Sequence, residues 1–214
     1  MKFIIMCGGN YNYWKTPKQL SIINGERLVD RTIRLLKENN VEEIYISSNN
    51  PIFDSCNVPR LINTKNDFDV KETETQGYWL DAFYPVEESV TYLFGDVYYS
   101  EEAIKKIVEF KSNRNILFGS KIALNKLHKN WGEPFAYIVN DYKLFFDGIN
   151  NVKELFNQGK VERHPIVWEL YRYLHGLDIN KHEIIDDYEV IDDETIDIDG
   201  PEELEEMQKK YGDK

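Results

Sequence analysis

The sequence predicts an α/β protein built on a parallel sheet, and three stretches near its N-terminus indicate this. The short apolar run at 3–6 is too brief for a helix and rich in β-branched residues, so it predicts a buried strand. Residues 27–39 then carry apolar side chains at helical spacing, and residues 43–48 predict a second strand. A strand, a helix and a strand with short connections form a βαβ unit, whose strands are parallel and whose crossover is right-handed.

Length and composition limit the class of protein. The 214 residues are 42% apolar, which suits one domain spanning 1–214 with a full core. The net charge of −12 argues against a nucleic-acid partner, because binding to a phosphate backbone needs a basic surface. No apolar run approaches the ~20 residues of a membrane span and no signal peptide is visible, so we expect no membrane contact. Only Cys7 and Cys56 are present, which favours a reducing cytoplasm over a disulfide framework.

The first predicted strand ends in a glycine pair that suits a phosphate-binding turn. Gly8 and Gly9, which follow Cys7, carry no Cβ, so the backbone there can turn tightly and approach a ligand closely. Successive N–H groups in such a turn can converge on phosphate oxygens. Lys18 follows Pro17 and could reach the same phosphates. Ligands of open parallel sheets bind beyond the carboxyl ends of the strands, so this loop is predicted on the ligand side.

The later elements are predicted one by one from local patterns. The pattern predicts a brief strand at 60–63, a loop and the first turns of a helix at 75–83, a strand at 89–94 and a helix at 100–111 capped by Ser100. It then predicts a strand at 115–120, an aromatic strand after Glu133, and a helix at 166–174. Pro165, just before this last helix, suits the first helical position. Residues 141–158 are aromatic and apolar but show no sharp motif.

The C-terminal tail combines acidic residues with a strand-to-helix turn. Alternation over 195–199 predicts a strand that points Asp197 and Asp199 to one face. Pro201 then begins the last helix, which has acidic residues in its first turn. A further carboxylate, Asp96, follows the strand at 89–94 after Gly95.

These segments together resemble the nucleotidyltransferases of the GT-A-like fold. That group includes sugar-1-phosphate nucleotidyltransferases, cytidylyltransferases and molybdopterin guanylyltransferases. The resemblance rests on the Gly-Gly loop, Pro-Lys-Gln-Leu at 17–20, the turn at 95–96, and Asp-x-Asp-x-Pro-Glu-Glu-Leu at 197–204. It implies a three-layer α/β/α sandwich with a mixed, mostly parallel sheet, a nucleotide half at about 1–110 and an acceptor half at about 111–214.

The resemblance also implies a set of site residues. It makes Lys18, Asp96 and Asp199 catalytic, with Asp96 and Asp199 holding Mg²⁺ or Mn²⁺ and Asp197 a further candidate ligand. The nucleotide-binding residues would be Cys7, Gly8, Gly9, Lys15, Lys18, Gln76 and Gly77. The acceptor-binding residues would be Glu133, Arg163 and His164. For Gln76 and Gly77 a simple helix start, for Glu133 a hairpin, and for the Arg163–His164 pair a structural role remain open as alternatives.

The loop at 8–13 departs from the family pattern of Gly-x-Gly-x-Arg. Tyr11 stands in place of the second glycine and Tyr13 in place of the arginine, while Lys15 is placed to supply the missing charge. This departure is the best evidence for one alternative, a non-catalytic nucleotide-binding module.

The activity implied is transfer of a nucleoside monophosphate from an NTP to a phosphorylated sugar or small alcohol, with release of pyrophosphate, as in sugar nucleotide biosynthesis. The Asp-Gly-Pro-Glu-Glu-Leu ending mildly favours CTP. A second alternative is a GT-A-type glycosyltransferase that uses a sugar nucleotide. Such enzymes normally carry Asp-x-Asp where this chain has Asp96-Val97-Tyr98. The expected partners are the NTP and the phosphorylated acceptor, and a homodimer is left open.

Overall fold

The central sheet is assembled around the N-terminal strand, which lies between strands from different parts of the chain. A computed structural model describes residues 1–8, 14, 16–63, 78–120 and 132–212. Its strands are β1 (Lys2–Met6), β2 (Ile22–Ile23), β3 (Glu26–Arg27), β4 (Ile44–Ser47), β5 (Arg60–Leu61), β6 (Val90–Phe94), β7 (Val97–Tyr98), β8 (Ile116–Gly119), β9 (Pro134–Val139), β10 (Tyr188–Val190) and β11 (Ile196–Asp197).

Seven of these strands form one sheet, in the order β10-β8-β9-β6-β1-β4-β5. β1 is parallel to both β4 and β6, β5 is parallel to β4, and β10 is parallel to β8. β9 alone in this sheet, as far as the described residues show, runs antiparallel to its neighbours β6 and β8. The predicted mixed, mostly parallel sheet is confirmed.

Five α-helices accompany the sheet in the described ranges. They are α1 (Leu28–Glu38), α2 (Glu101–Glu109), α3 (Tyr142–Asn157), α4 (Val167–Leu174) and α5 (Pro201–Tyr211). Ser100 caps α2 as predicted, because its hydroxyl accepts a hydrogen bond from the Ala103 N–H at 2.8 Å. α5 begins at Pro201, also as predicted. No helix in the described part of the chain is long and apolar enough to cross a membrane.

The sequence patterns missed α3 and misplaced the start of α4. Gly148 and an Asn-Asn pair lower the intrinsic helix propensity of residues 142–157. Packing overrides that weakness: a Cβ on Gly148 would lie 2.7 Å from the Leu174 side chain, so the glycine lets α3 and α4 approach closely. Pro165 was predicted as the first residue of α4, but the helix begins at Val167 with Ile166 as its cap.

The helix expected within 75–83 is reduced to a 3₁₀ turn at Trp79–Ala82. Aromatic packing explains its position, since the Trp79 ring meets the rings of Phe83 and Phe94 edge-on at centroid distances of 5.7 Å and 5.4 Å. These contacts fix the turn against the end of β6.

A second, smaller core lies beside the main one and joins the two ends of the chain. Its buried residues are Ile23, Leu28, Tyr98, Ile198 and Met207. They come from the β2–β3 hairpin, α1, β7, the segment after β11, and α5. The hairpin turns at Asn24 and Gly25, both at positive φ, a conformation that Asn and Gly adopt readily. This core holds the C-terminal segment against the N-terminal third of the chain.

Candidate active site

The start of the glycine loop is tied to the lysine turn that follows it. Cys7 leaves β1 buried, and its N–H donates to the Ser47 carbonyl at the end of β4 at 2.9 Å. The Gly8 carbonyl accepts a hydrogen bond from the Gln19 side chain at 3.4 Å. Gln19 belongs to the 3₁₀ turn Lys18–Leu20, so Gly8 and Lys18 are held near each other. Gly9, Lys15, Gln76, Gly77, Tyr11 and Tyr13 lie outside the described residues, and their predicted roles stay predictions.

Gly95 lies where the end of β6 packs closely against the end of β1. Its N–H donates to the Met6 carbonyl at 3.0 Å. A Cβ at this position would lie 2.5 Å from that carbonyl oxygen and 2.8 Å from the Cys7 sulfur, which is closer than real Cβ atoms come. The glycine therefore permits the close approach that sets Asp96 beside the loop.

A short antiparallel ribbon brings Asp199 to Asp96. β7 pairs with β11, with Asp197 opposite Val97. The ribbon continues one step further, since the Ile198 N–H donates to the Asp96 carbonyl at 3.0 Å. Ile198 is fully buried in the smaller core, and this anchors the segment. The two aspartates predicted as metal ligands are thus brought together by backbone pairing.

Lys18 lies between these two aspartates. Its Nζ is 2.6 Å from Asp96 Oδ2 and 3.6 Å from Asp199 Oδ1. The lysine is only 5% exposed, and a buried ammonium requires such anionic partners. The three residues predicted to be catalytic therefore converge at the carboxyl ends of β1 and β6.

Two further carboxylates, Glu133 and Asp197, lie beside this cluster with little access to water. The Asp197 N–H donates to Glu133 Oε2 at 3.4 Å. Glu133 Oε1 and Asp197 Oδ1 are both buried, and neither accepts a hydrogen bond from the residues that the structure describes. Burial raises the pKa of Glu133 to about 7. Burial, with repulsion from Asp96, also raises the pKa of Asp197 well above its usual range, while Lys18 opposes that shift.

Glu203 positions Asp199, a role that the sequence reasoning did not recognise. Its Oε2 accepts hydrogen bonds from the Asp199 N–H at 2.6 Å and the Gly200 N–H at 3.1 Å. The signal was present, because Glu203 is the third residue of a helix that begins at Pro201, where a glutamate commonly reaches back to the cap.

Arg163 and His164, predicted to bind the acceptor, have other contacts in this structure. Arg163 Nε lies 2.8 Å from Glu169 Oε1, and Glu169 also accepts the Ile166 N–H at the start of α4. His164 stacks on the Tyr78 ring at 5.5 Å, and burial lowers its pKa. The structure thus gives Arg163 a part in the α4 cap, and acceptor binding by either residue stays a prediction.

The clustered side chains suit a hard divalent cation. Asp96 and Asp199 offer carboxylate oxygens, the ligands that Mg²⁺ and Mn²⁺ prefer. Among the described residues, no group of three or more His, Cys, Asp or Glu side chains already has the arrangement of a metal site. The position between the two aspartates is instead taken by the Lys18 ammonium.

Comparison with solved structures identifies the fold. The chain matches a CTP:phosphocholine cytidylyltransferase from Streptococcus pneumoniae with a TM-score of 0.60 and 13% identity, covering 98% of both chains. A putative glucose-1-phosphate thymidylyltransferase from Bacillus anthracis matches with a TM-score of 0.61 and 15% identity, over 100% of this chain and 96% of that one. The chain has the nucleotidyltransferase fold.

A third structure of the nucleotidyltransferase fold agrees with these two. It is a 4-diphosphocytidyl-2C-methyl-D-erythritol synthase from Anaerococcus prevotii, with a TM-score of 0.57 and 13% identity, covering 98% of this chain and 94% of that chain. No protein-family model matches the sequence, and no curated protein matches it. The predicted resemblance is therefore confirmed at the level of the fold.

Proposed function

We propose that this chain is a nucleotidyltransferase that transfers a nucleoside monophosphate from an NTP to a phosphorylated small-molecule acceptor. The observation that carries the proposal is the convergence of Lys18, Asp96 and Asp199 beside the first residues of the glycine loop. The two aspartates come from different ends of the chain, and the lysine is buried between them. Burying the Lys18 ammonium carries a desolvation cost, which favours a functional role over a structural one.

In the proposed reaction an acceptor phosphate oxygen attacks the α-phosphorus of the NTP in line. The new phosphorus–oxygen bond forms as the bond to the pyrophosphate leaving group breaks. The chain's residues contribute positioning and charge compensation, with no covalent enzyme intermediate. The backbone at Gly8 and Gly9 would cradle the triphosphate, and Lys18 would offset the negative charge that develops on pyrophosphate.

Asp96 and Asp199 would hold Mg²⁺ or Mn²⁺, and Asp197, in β11 opposite Val97, is a further candidate ligand. When bound, the divalent ion would neutralise phosphate charge and orient the reacting oxygens. Glu203, by fixing the Asp199 backbone, would keep the second carboxylate in place.

We propose CTP as the preferred nucleotide. The Asp-Gly-Pro-Glu-Glu-Leu ending supports this choice. Two of the three compared proteins are named for cytidylyl chemistry, one of them with phosphocholine as the acceptor. The division into a nucleotide half and an acceptor half is part of the same proposal.

Glu133, Arg163 and His164 remain our proposed acceptor residues, with Arg163 tested most directly. Arg163→Lys keeps the charge and loses the planar fork, so it should raise the acceptor KM far more than the NTP KM. If Arg163 serves only the α4 cap beside Glu169, the variant will lower the melting temperature and leave both KM values close to those of the wild type. That second result would remove Arg163 from the acceptor site.

The test of function is a pyrophosphate-release assay with the four NTPs against a panel of phosphorylated sugars and alcohols. Asp96→Asn and Asp199→Asn should each lower kcat by about two orders of magnitude or more while the protein stays folded, because each removes a carboxylate from the cluster. Asp147→Asn, on the exposed face of α3, is the matched control and should leave kcat unchanged.

The assay also separates the alternatives. Pyrophosphate release that requires both an NTP and a phosphorylated acceptor supports the proposal. Turnover of a sugar nucleotide without pyrophosphate release would identify a glycosyltransferase. Nucleotide binding without turnover of any pair would identify a binding module. Full activity in either aspartate variant would contradict the assigned roles.

A further inference from the structure

Lys18 occupies a place where two carboxylates would otherwise face each other. Its side chain is 6% exposed, and its ammonium contacts Asp96 at 2.6 Å and Asp199 at 3.6 Å. The hydrogen bond from Ile198 to the Asp96 carbonyl joins the two segments through the backbone. The two aspartates therefore start from fixed neighbouring backbone positions, and the Lys18 ammonium offsets the repulsion between their carboxylates.

The carboxylates that Lys18 contacts are the ones proposed to hold the divalent ion. Mg²⁺ binds its oxygen ligands at about 2.1 Å, so an ion held by both Asp96 and Asp199 would compete with the ammonium for the space between them. The two cations would also repel each other at that distance. Lys18 and the metal ion therefore exclude each other from this position.

The Lys18 ammonium can leave this position by a change of side-chain conformation, because the side chain is long and begins beside the glycine loop. Gln19, the next residue of the same 3₁₀ turn, contacts the Gly8 carbonyl. A triphosphate bound at this loop would lie within reach of a lysine side chain from the same turn. The phosphate oxygens would then replace Asp96 and Asp199 as anionic partners of the ammonium when a metal ion binds the two carboxylates.

We propose that Lys18 is a placeholder cation. In the free protein it neutralises Asp96 and Asp199, and it leaves that position to the metal ion when an NTP offers it phosphate oxygens. The free protein consequently binds divalent metal weakly, and metal and nucleotide bind cooperatively. The choice of NTP as the second ligand rests on the proposed function, whereas the exchange of Lys18 for metal does not.

Binding of Mn²⁺ alone, followed by electron paramagnetic resonance, tests the exchange. Lys18→Met keeps the length of the side chain and removes the charge, so it should bind Mn²⁺ about tenfold more tightly than the wild type, which must first displace its lysine. The variant should also melt several degrees lower in EDTA and regain the loss when Mn²⁺ is added without nucleotide. Lys153→Met is the matched control, since Lys153 forms a similarly shielded pair with Asp81 at 2.7 Å. Its melting temperature should fall without recovery in Mn²⁺.

A measurement on the wild type separates displacement from a simple charge effect and does not depend on the variant folding. Acetic anhydride should acetylate Lys18 slowly in EDTA and faster once Mn²⁺ occupies the site, with peptide mass mapping as the readout. Lys106, which pairs with Glu189 on the surface, serves as the reference and should react equally in both conditions. Unchanged Lys18 reactivity with Mn²⁺ bound, or equal Mn²⁺ affinity in wild type and Lys18→Met, would overturn the proposal. Absence of pyrophosphate release with every NTP would instead overturn the proposed function and leave these results standing.

Discussion

At the scale of single residues, Glu133 is a carboxyl group in a place that disfavours its charge. It is 5% exposed, and burial raises its pKa to about 7, with the nearby Asp199 and Glu203 acting in the same direction. The hydrogen bond from the Asp197 N–H opposes the shift but does not cancel it. Glu133 therefore links the folding stability of the protein to pH.

The sign of that link follows from the raised pKa. Below pH 4.5, the ordinary value, Glu133 is protonated in both folded and unfolded chains. Between pH 4.5 and about 7 the unfolded chain loses the proton that the folded chain keeps, so this group's contribution to the free energy of unfolding falls as pH rises. Above about pH 7 the contribution has been lost.

Glu133→Gln should remove this dependence in metal-free buffer. At pH 8 the variant should be more stable than the wild type by about 2–3 kcal/mol, and at pH 4.5 the two should be nearly equal. Urea unfolding at several pH values measures the difference. The same change at the exposed Glu205 is the control, and parallel pH curves for wild type and Glu133→Gln would contradict the prediction.

At the scale of secondary-structure elements, the two glycines next to the aspartates differ in what surrounds them. Gly95, before Asp96, has backbone and sulfur atoms within 3 Å of where a Cβ would stand. Gly200, after Asp199, has nothing within 4 Å of that position. Neither glycine has a positive φ, so the comparison tests only the room available for a Cβ.

Gly95→Ala should destabilise the protein by about 3 kcal/mol, because the Met6 carbonyl is part of the sheet and cannot give way easily. Gly200→Ala should change stability by less than about 0.5 kcal/mol. Chemical denaturation of both variants provides the measurement. Equal stability of the two would show that the ends of β1 and β6 are not in fixed contact.

The start of α5 offers a third test at this scale, through its two glutamates. Glu203 accepts the Asp199 and Gly200 N–H groups, while Glu202 is exposed in the same turn. Both carboxylates interact favourably with the helix N-terminus, so the two residues differ in the hydrogen bonds and in the burial of Glu203.

Glu203→Ala should therefore cost about 1 kcal/mol more stability than Glu202→Ala. It should also raise the KM for the metal–NTP complex, because Asp199 loses its backbone support. Thermal melts and steady-state kinetics of the pair check both effects. Identical kinetics in the two variants would mean that Asp199 is positioned without Glu203.

At the scale of the whole molecule, local patterns predicted the βαβ start, the capped α2 and the turn into α5 because each has a strong local signal. They missed α3, whose helix depends on packing against α4 at Gly148. Within the site, motif order indicated Lys18, Asp96 and Asp199, but not that the lysine would lie between the aspartates. The sequence also did not indicate the contact between Glu133 and Asp197, since that contact depends on how β9 meets β11.

The β7–β11 ribbon has a consequence for how the protein acquires its site during synthesis. β1, β4 and β6 can pair as soon as the first half of the chain has left the ribosome, whereas β11 comes almost last in the chain order. The N-terminal half of a growing chain therefore carries the loop and Asp96 before their partner exists. Contacts so distant in sequence form late, because closing a long loop of chain loses conformational entropy before the stabilising contacts are made. A ribosome that stops early would release a product that has Gly8, Lys18 and Asp96 but no Asp199.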